Sequence, residues 1–180
     1  MKFETTSIEG LIEVTPDKFH DSRGYFFESY NYNSFKEGGI TKAFVQDNQA
    51  FSPKGVLRGM HLQHAPYAQA KLVRTLKGRV IDAVVDLRKG SPTYGKSHMV
   101  ELDSETQKML YIPEGFAHGY LTLEDTVFFY KCSNFYNKDS EAGLIWNDPD
   151  IELDWGIKNP IISDKDLKLS TFEEFTQNYR

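Results

Sequence analysis

Cysteine is nearly absent from this chain of 180 residues, because Cys132 is the only one. No disulfide can form within a single chain, and a reducing cytoplasm is therefore the expected setting. Cys132 ends an apolar run that starts at Thr126, which predicts a buried core thiol and not a nucleophile. No apolar run approaches the ~20 residues of a membrane span, and the first residues lack the apolar stretch of a signal peptide. We expect a soluble cytoplasmic protein without a membrane partner.

Basic residues are also fewer than acidic residues. The chain has 21 Lys and Arg against 26 Asp and Glu, a formal net charge of −5, and it contains no basic run. Such a chain repels the phosphates of a nucleic-acid polymer, which we do not expect as a partner. A small phosphate ligand needs only a few converging Arg and Lys side chains, so this charge balance does not exclude one.

Standard catalytic motifs are missing as well: there is no Gly-x-Ser-x-Gly elbow, glycine-rich phosphate loop or His-Glu-x-x-His helix. The nearest metal pattern is the cupin ligand set, His-x-His with a later Glu and His. Here Gln63 stands at the second position, and Lys71 lies where the ligand carboxylate is expected. The second cupin motif keeps only His118, and one histidine is not a metal site. We expect no bound metal.

What the chain does contain is a series of short strand-like runs separated by Gly, Pro and Asp turns. They cover residues 10–15, 24–30, 42–50, 56–63, 71–76, 79–87, 98–102, 108–112, 118–123 and 126–134. Such spacing, with 14% aromatic residues, predicts an all-β sandwich, barrel or jelly roll. Lys77-Gly78 predicts a tight hairpin turn. In the run that follows, one face is apolar and the other is mixed: Ile81, Ala83, Val85 and Leu87 against Val80, Asp82, Val84 and Asp86.

Helix is scarce. Residues 33–39 predict a short helical turn closed by two glycines, and Ser170-Thr-Phe-Glu173 matches a capping box that would begin a C-terminal helix. We find no repeat, low-complexity tract or linker. The chain is therefore predicted to be a single domain over residues 1–180, with a loop-rich C-terminal arm from about Tyr136.

The segments Gly55–Gln63 and Ile112–Gly119 carry the clearest chemical signal. Each places a histidine, His61 or His118, at the rim of a β-run and beside glycines, and Arg58 and Lys71 lie near His61 in the sequence. A base beside fixed cations suits proton abstraction next to a carbonyl, since the resulting enolate needs a positive partner. Three positions separate Arg58 from His61, so a regular strand would point them to opposite faces. We predict a bulge at Gly59 that re-aims them.

Other candidates have two interpretations that the residues alone do not separate. Gln46 and Asn48 share a strand face that is either solvated or turned to a ligand. Tyr130 lies among apolar neighbours and is typical of a core tyrosine, and His118 is equally compatible with a structural role. Arg23, beside a glycine, is suited to binding a phosphate.

Taken in order, these motifs resemble those of the dTDP-4-dehydrorhamnose 3,5-epimerases, a metal-free branch of the cupin superfamily. The resemblance spans nearly the whole chain. It is carried by Asp21–Glu28, Phe44–Asn48, Val56–Gln63, Gln69–Val73, Val85–Thr93, Ile112–Gly119, Tyr130-Lys131, Trp146–Pro149 and Ser163–Asp166. It departs at Tyr25, where the family usually has Phe, and in the tail beyond Asp166, which matches weakly.

The resemblance implies a homodimeric cupin-type jelly roll with exchanged N-terminal strands and one site in each barrel. It also implies inversion at C3 and C5 of a dTDP-linked 4-keto-6-deoxyhexose without a cofactor. The implied roles are His61 as base, Asp166 as its carboxylate partner, Lys71 for the enolate oxygen and Tyr130 as acid on the opposite face. The implied substrate-contacting residues are Arg23, Glu28, Gln46, Asp47, Asn48, Arg58, His118, Glu141 and Lys165, of which Arg23 and Glu28 would reach a neighbouring subunit.

Three alternatives differ in chemistry. A single-carbon epimerase or ketoisomerase of the same superfamily would act on a related nucleotide sugar. A metal-dependent cupin oxygenase would need ligands where the chain has Gln63 and Lys71. A sugar-binding module would bind the nucleotide sugar without exchanging its hydrogens.

Overall fold

The structure is a computed structural model that describes residues 1–179. Its strands are β1 (Lys2–Thr5), β2 (Ile12–Thr15), β3 (Phe19–Asp21), β4 (Gly24–Phe26), β5 (Gln46–Ser52), β6 (Leu57–Gln63), β7 (Lys71–Lys77), β8 (Arg79–Asp86), β9 (Ser97–Asp103), β10 (Met109–Ile112), β11 (Phe116–Thr122), β12 (Thr126–Cys132) and β13 (Glu141–Gly143). Two helices, α1 (Tyr32–Glu37) and α2 (Phe172–Asn178), and two 3₁₀ turns (Lys138–Ser140, Asp166–Lys168) complete it.

Two antiparallel sheets form the body of the fold. The first has the strand order β1-β2-β10-β7-β12-β5 and the second has the order β13-β6-β11-β8-β9, while β3 and β4 form a separate hairpin. The chain turns at Lys77-Gly78 as predicted, but the turn is not a hairpin, because it joins β7 of the first sheet to β8 of the second and the two strands do not pair. Gly78 has φ +81°, and a Cβ there would lie 2.6 Å from the Asp125 carbonyl oxygen, so the turn requires glycine.

One apolar cluster packs between the sheets. Val73 and Phe128 project into it from the first sheet, and Val80, Val84 and Tyr120 project from the second. Strand alternation therefore also turns Asp82, which lies between Val80 and Val84, toward the interior. The mixed face predicted for residues 79–87 is the inner face of the fold.

Each sheet also buries its outer face. Helix α1 places Phe35 against the first sheet, whose outward residues include Ile12 and Leu72. The C-terminal arm covers the second sheet, where Trp155 and Phe175 pack on the outward face of β8. This packing positions the arm, and with it the 3₁₀ turn at Asp166, beside β6.

Several sequence predictions need correction. Helix α2 begins one residue later than predicted, because Thr171 and Glu174 form the capping box that we assigned to Ser170 and Glu173. Strands β1, β3 and β13, of three or four residues each, have no counterpart among the predicted runs. The predicted run 24–30 is shortened to β4, and the predicted run 42–50 is moved toward the C-terminus, to β5.

Two further predictions, the burial of Cys132 and the lack of a membrane span, can be compared with the structure. Cys132 is buried, with 1% of its surface exposed, as the apolar run predicted. Within residues 1–179, no helix has the length and apolar character needed to cross a membrane.

Candidate active site

The predicted bulge in β6 is present. His61 faces His118 and Arg58 faces Tyr120, so β6 uses three residue steps where β11 uses two. Gly59 makes this possible: its φ is +119°, and a Cβ there would lie 2.5 Å from Gly119 Cα. Arg58 and His61 consequently line the same cavity. The expectation that glycine re-aims these two side chains is confirmed.

Two adjoining cavities of about 300 and 340 Å³ open between the sheets. His61, Lys71 and Tyr130 line both of them, so the base, ammonium and phenol expected from the sequence share one space. A larger cavity of about 740 Å³ lies elsewhere, between α2 and the loop that follows β8, and it is mainly apolar. The three predicted catalytic residues above do not line it.

His61 and Asp166 form a hydrogen-bonded pair, with Nε2 of the imidazole 2.7 Å from Oδ1 of the carboxylate. Asp166 is nearly buried and also accepts the Gly59 backbone N–H at 3.2 Å. Burial acts to raise the pKa of Asp166, but the hydrogen bond and charge of His61 and the Gly59 N–H outweigh it, and the pKa is lowered. An ionised Asp166 orients the ring and leaves Nδ1 as the nitrogen available to take a proton.

Lys71 extends from β7 into the same space, where its Nζ lies 3.4 Å from the His61 backbone oxygen. Burial lowers the pKa of Lys71, while electrostatic interactions with Cys132, Asp82 and Glu141 act in the opposite direction. A desolvated ammonium interacts more strongly with a developing oxyanion than one in water.

Tyr130 stands on β12, in the first sheet, while His61 stands on β6, in the second. Burial, with the neighbouring Cys132 and Tyr120, raises the pKa of Tyr130 to about 12. The phenol therefore keeps its proton at neutral pH. The two groups approach the cavity from different walls, which suits a base and an acid that act on opposite faces of a substrate ring.

A second histidine–carboxylate pair lies deeper in the cavity wall. His118 Nε2 is 2.8 Å from Asp82 Oδ2, and both side chains are buried. Burial lowers the pKa of His118, and Asp82 opposes that effect. Asp82 was not predicted as a site residue, although an acid inside the apolar run from Val80 to Val85 was the available signal.

Polar side chains surround the mouth of the cavity. Glu141 accepts a hydrogen bond from Lys165 Nζ at 2.6 Å and one from the Tyr136 hydroxyl at 3.0 Å. Gln46 and Asn48 hydrogen-bond to each other at 3.0 Å and line the same space, which supports the ligand-facing interpretation of their shared strand face. Tyr136 was not selected from the sequence, where a lone tyrosine in a loop carries no distinguishing pattern.

Arg58 lines the cavity of about 300 Å³, as Lys165 does. Its Nε donates to the buried Ser52 Oγ at 2.9 Å, and its terminal nitrogen lies 3.4 Å from the Phe51 carbonyl oxygen. These contacts come from β5, in the opposite sheet. They hold the guanidinium in the cavity wall, where it is suited to binding an anionic group of a ligand.

Three predicted contact residues lie outside this cavity. Arg23 is exposed in the β3–β4 turn and pairs with Asp21, and Glu28 is exposed and accepts from Asn31. Asp47 alternates with Gln46 and Asn48 along β5, so it faces outward and binds Lys131 at 2.9 Å. Within one subunit, the structure does not bring these three residues to the catalytic group.

The donor set of the cavity does not resemble a metal centre. Across residues 1–179, no three His, Cys, Asp or Glu side chains are grouped so that they could hold a metal ion. Gln63 donates to the backbone oxygens of Tyr67 and Phe135 and accepts the Asn137 N–H, and so it serves the rim loops.

Comparison with known proteins agrees with this geometry. A family model described as dTDP-4-dehydrorhamnose 3,5-epimerase matches residues 5–174. A dTDP-4-dehydrorhamnose 3,5-epimerase of Shigella flexneri is 48% identical over 169 residues, which are 93% of each chain. The chain belongs to the dTDP-4-dehydrorhamnose 3,5-epimerase family.

Solved structures of family members have the same fold. A dTDP-4-dehydrorhamnose 3,5-epimerase from Elizabethkingia anophelis matches with a TM-score of 0.92 at 47% identity, over 97% of both chains. A dTDP-6-deoxy-D-glucose-3,5-epimerase from Legionella pneumophila, in complex with dTDP-4-keto-L-rhamnose, matches with a TM-score of 0.90 at 39% identity, over 96% of this chain and 93% of that one. The predicted cupin-type jelly roll with a C-terminal helix is therefore confirmed for this member of the epimerase family.

Proposed function

We propose that the chain is an isomerase that inverts C3 and C5 of dTDP-4-keto-6-deoxyglucose and forms dTDP-4-dehydrorhamnose, a step of deoxysugar biosynthesis. One observation carries the proposal: a carboxylate-bound imidazole, an ammonium and a protonated phenol line one cavity between the sheets. C3 and C5 both flank the C4 ketone, so one set of groups can act on both carbons through an enolate at C4.

In the proposed reaction, Nδ1 of His61 removes the proton from the carbon beside the ketone, and the electron pair moves to the C4 oxygen. Asp166 stabilises the imidazolium that forms, and an N–H of Lys71 binds the enolate oxygen. Tyr130 then gives its phenolic proton to the opposite face of the same carbon. Proton exchange between the imidazolium and the tyrosinate restores both groups before the second carbon reacts. No step of this scheme uses a cofactor.

The side chains that could bind the substrate line the two adjoining cavities. We propose that Arg58 and Lys165 bind the diphosphate, since both are cations at the rim. Gln46, Asn48, His118 and Glu141 would bind polar groups of the nucleotide sugar, and Asp47 would act only through the strand it shares with Gln46 and Asn48.

We further propose a cytoplasmic homodimer of this single-domain chain with exchanged N-terminal strands. Phe19 and Phe26 on the β3–β4 hairpin are 64% and 67% exposed, and β5 is the last strand of its sheet. A hairpin laid on a partner's β5 edge would cover both surfaces. It would also carry Arg23 and Glu28 into the partner's cavity, which explains why neither reaches its own.

Incubation with dTDP-4-keto-6-deoxyglucose in deuterated water tests the reaction. We expect proton NMR to show deuterium at both C3 and C5 and the accumulation of the doubly inverted sugar. Exchange at one carbon alone would indicate a single-carbon epimerase, and a changed carbonyl position would indicate a ketoisomerase. Binding without exchange would indicate a sugar-binding module and would overturn the proposal.

Mixing two inactive variants tests the strand exchange. If Arg23 acts in the partner's site, a heterodimer of Arg23→Ala and His61→Ala subunits has one site without a mutation, and activity returns. If Arg23 acts in its own subunit, every site in the heterodimer carries one mutation, and the mixture stays inactive.

A further inference from the structure

Asp82 has no part in the scheme above, although its partner His118 lines the catalytic cavity. His118 stands directly opposite His61 across the β6–β11 pairing and lines the same cavity. Its Nε2 is bound to Asp82 Oδ2 at 2.8 Å. The pair thus repeats the arrangement of His61 and Asp166, but with a carboxylate that is fully buried.

Asp82 has one carboxylate oxygen unused. Among residues 1–179, no hydrogen-bond donor reaches its buried Oδ1. An unpartnered buried carboxylate oxygen is costly, and natural structures contain few of them. Burial raises the pKa of Asp82, and the interactions with His118 and, at longer range, with Lys71 oppose that effect. Lys71 comes from β7 and projects between the sheets as Val73 does.

Lys71 needs such a partner. Within the described part of the chain, no carboxylate oxygen lies within 4.0 Å of its Nζ. The titratable groups around it are His61 and Arg58 on β6, Asp82 on β8, His118 on β11, Tyr130 and Cys132 on β12, Glu141 on β13, and Lys165 and Asp166 in the C-terminal arm. Of the three carboxylates, Glu141 is already bound to Lys165 and Tyr136, and Asp166 is bound to His61. Asp82 is therefore the buried carboxylate that has an oxygen without a hydrogen-bond partner.

We infer that Asp82 is a positioning residue for the enolate-binding side of the site, acting through both His118 and Lys71. It accepts the Nε2–H of a neutral His118, which leaves Nδ1 as an acceptor for a substrate hydroxyl. It also supplies the negative charge that keeps Lys71 an ammonium ion in a desolvated cavity. The inference rests on the proposed function, and it adds a residue that contacts neither substrate nor reacting atoms.

The physical basis is the cost of burying a lone cation. Desolvation favours the neutral amine, which could not stabilise an enolate oxygen as a charged donor does. A nearby carboxylate offsets that tendency and typically moves a pKa by one to three units. Because Asp82 lies behind His118, it can act on Lys71 without competing with the substrate oxygen for the ammonium protons.

The test is Asp82→Asn, which keeps the shape of the side chain and removes its charge. We expect kcat to fall by about 10²-fold or more with a much smaller change in KM, because the lost effect is on the enolate. We also expect the alkaline limb of the kcat–pH profile to move down by about one pH unit, since Lys71 would lose its proton more readily. Asp86→Asn is the matched control: Asp86 is a buried carboxylate on the same strand face, bound to Arg88 outside the cavity. It should lose stability without moving that limb.

A measurement on the wild-type protein avoids dependence on the folding of the variant. Nitrogen-15 NMR of the His118 ring, without substrate, should show a neutral ring protonated at Nε2. Wild-type protein that exchanges no hydrogen at C3 or C5 would refute the proposed function and leave this measurement intact. A His118 ring protonated at Nδ1, or a folded Asp82→Asn enzyme with an unmoved alkaline limb, would overturn the role of Asp82.

Discussion

His61 and Asp166 are separated by 105 positions in the chain, yet their side chains meet at 2.7 Å. The contact depends on the arm that covers the second sheet, where Leu57 donates its backbone N–H to the Ile161 oxygen at 2.9 Å. Asp166 thus reaches His61, which stands on β6, from a 3₁₀ turn of the C-terminal arm. The catalytic pair thus exists only when the C-terminal arm is docked.

Asp166→Asn tests the role of the carboxylate. The amide cannot stabilise an imidazolium and favours a different hydrogen-bonding pattern of the ring, so we expect kcat to fall by about 10²–10⁴-fold. Asp164→Asn, an exposed neighbour in the same loop, should retain nearly full activity. A steady-state assay of both variants suffices, and similar rates for the two would argue against the pair.

Tyr130→Phe tests the opposite-face acid. Without the hydroxyl, His61 can still remove and return a proton on its own face, so we expect deuterium exchange to persist more than inversion, and one centre to suffer more than the other. Tyr111→Phe provides the control, since Tyr111 is a buried tyrosine, also with a pKa raised to about 12 by burial, in a cluster on the outer side of the first sheet. Equal loss of exchange and inversion at both carbons in Tyr130→Phe would contradict the assignment.

Lys71→Ala should lose roughly 10²–10³ in kcat, the effect typical of one preorganised donor to an oxyanion. Lys77→Ala, at the exposed end of the same strand, should be neutral. In the wild-type enzyme, the active form is the ammonium, and burial lowers the pKa of Lys71. Activity should therefore be present below that pKa and decline as the pH rises through it, at a lower pH than an exposed lysine would give. Wild-type activity that stays constant up to pH 10 would contradict this role for the Lys71 ammonium.

Gly59→Ala tests the bulge that joins Arg58 and His61. The side chain would be placed at φ +119° with its Cβ 2.5 Å from Gly119 Cα, so we expect a loss of about 3 kcal/mol or more in the free energy of unfolding. Gly55→Ala adds a Cβ at φ +84° with no heavy atom within 4 Å, and it should cost only the backbone strain, about 1–2 kcal/mol. Urea titrations compare the two, and equal losses would show that crowding at Gly59 is unimportant.

Asp86→Asn tests a stabilising carboxylate outside the cavity. Burial acts to raise the pKa of Asp86, but hydrogen bonds from Arg88, Ser91 and Thr93 outweigh it and lower the pKa to about 2. The stability that this shift contributes is present above the ordinary pKa near 4 and is lost as the pH falls toward 2. We expect the variant to lose roughly 1–2 kcal/mol at pH 5, a difference that narrows with acid. A difference that stays constant with pH would assign the effect to packing.

The sequence was sufficient for much of the fold and for part of the site. Strand alternation and turn residues predicted a strand over residues 79–87 with one apolar and one mixed face. The bulge at Gly59 was predicted because Arg58 and His61, three positions apart, would point to opposite faces of a regular strand. Asp166 came only from family resemblance, because its position depends on how a loop-rich arm packs, and local pattern does not encode that packing. Asp82 was overlooked because alternation assigns it to a face but not to a partner in another strand.

Substitution of His61 is the sharpest test of the proposed catalytic base. His61→Ala and the control His64→Ala, whose ring lies outside the two catalytic cavities and packs on Tyr179, would each be incubated with dTDP-4-keto-6-deoxyglucose in deuterated water. We predict that the control incorporates deuterium at C3 and C5 at nearly the wild-type rate, while His61→Ala incorporates none at either carbon. Exchange in His61→Ala at a rate close to wild type would contradict the account, because the base would then be another group.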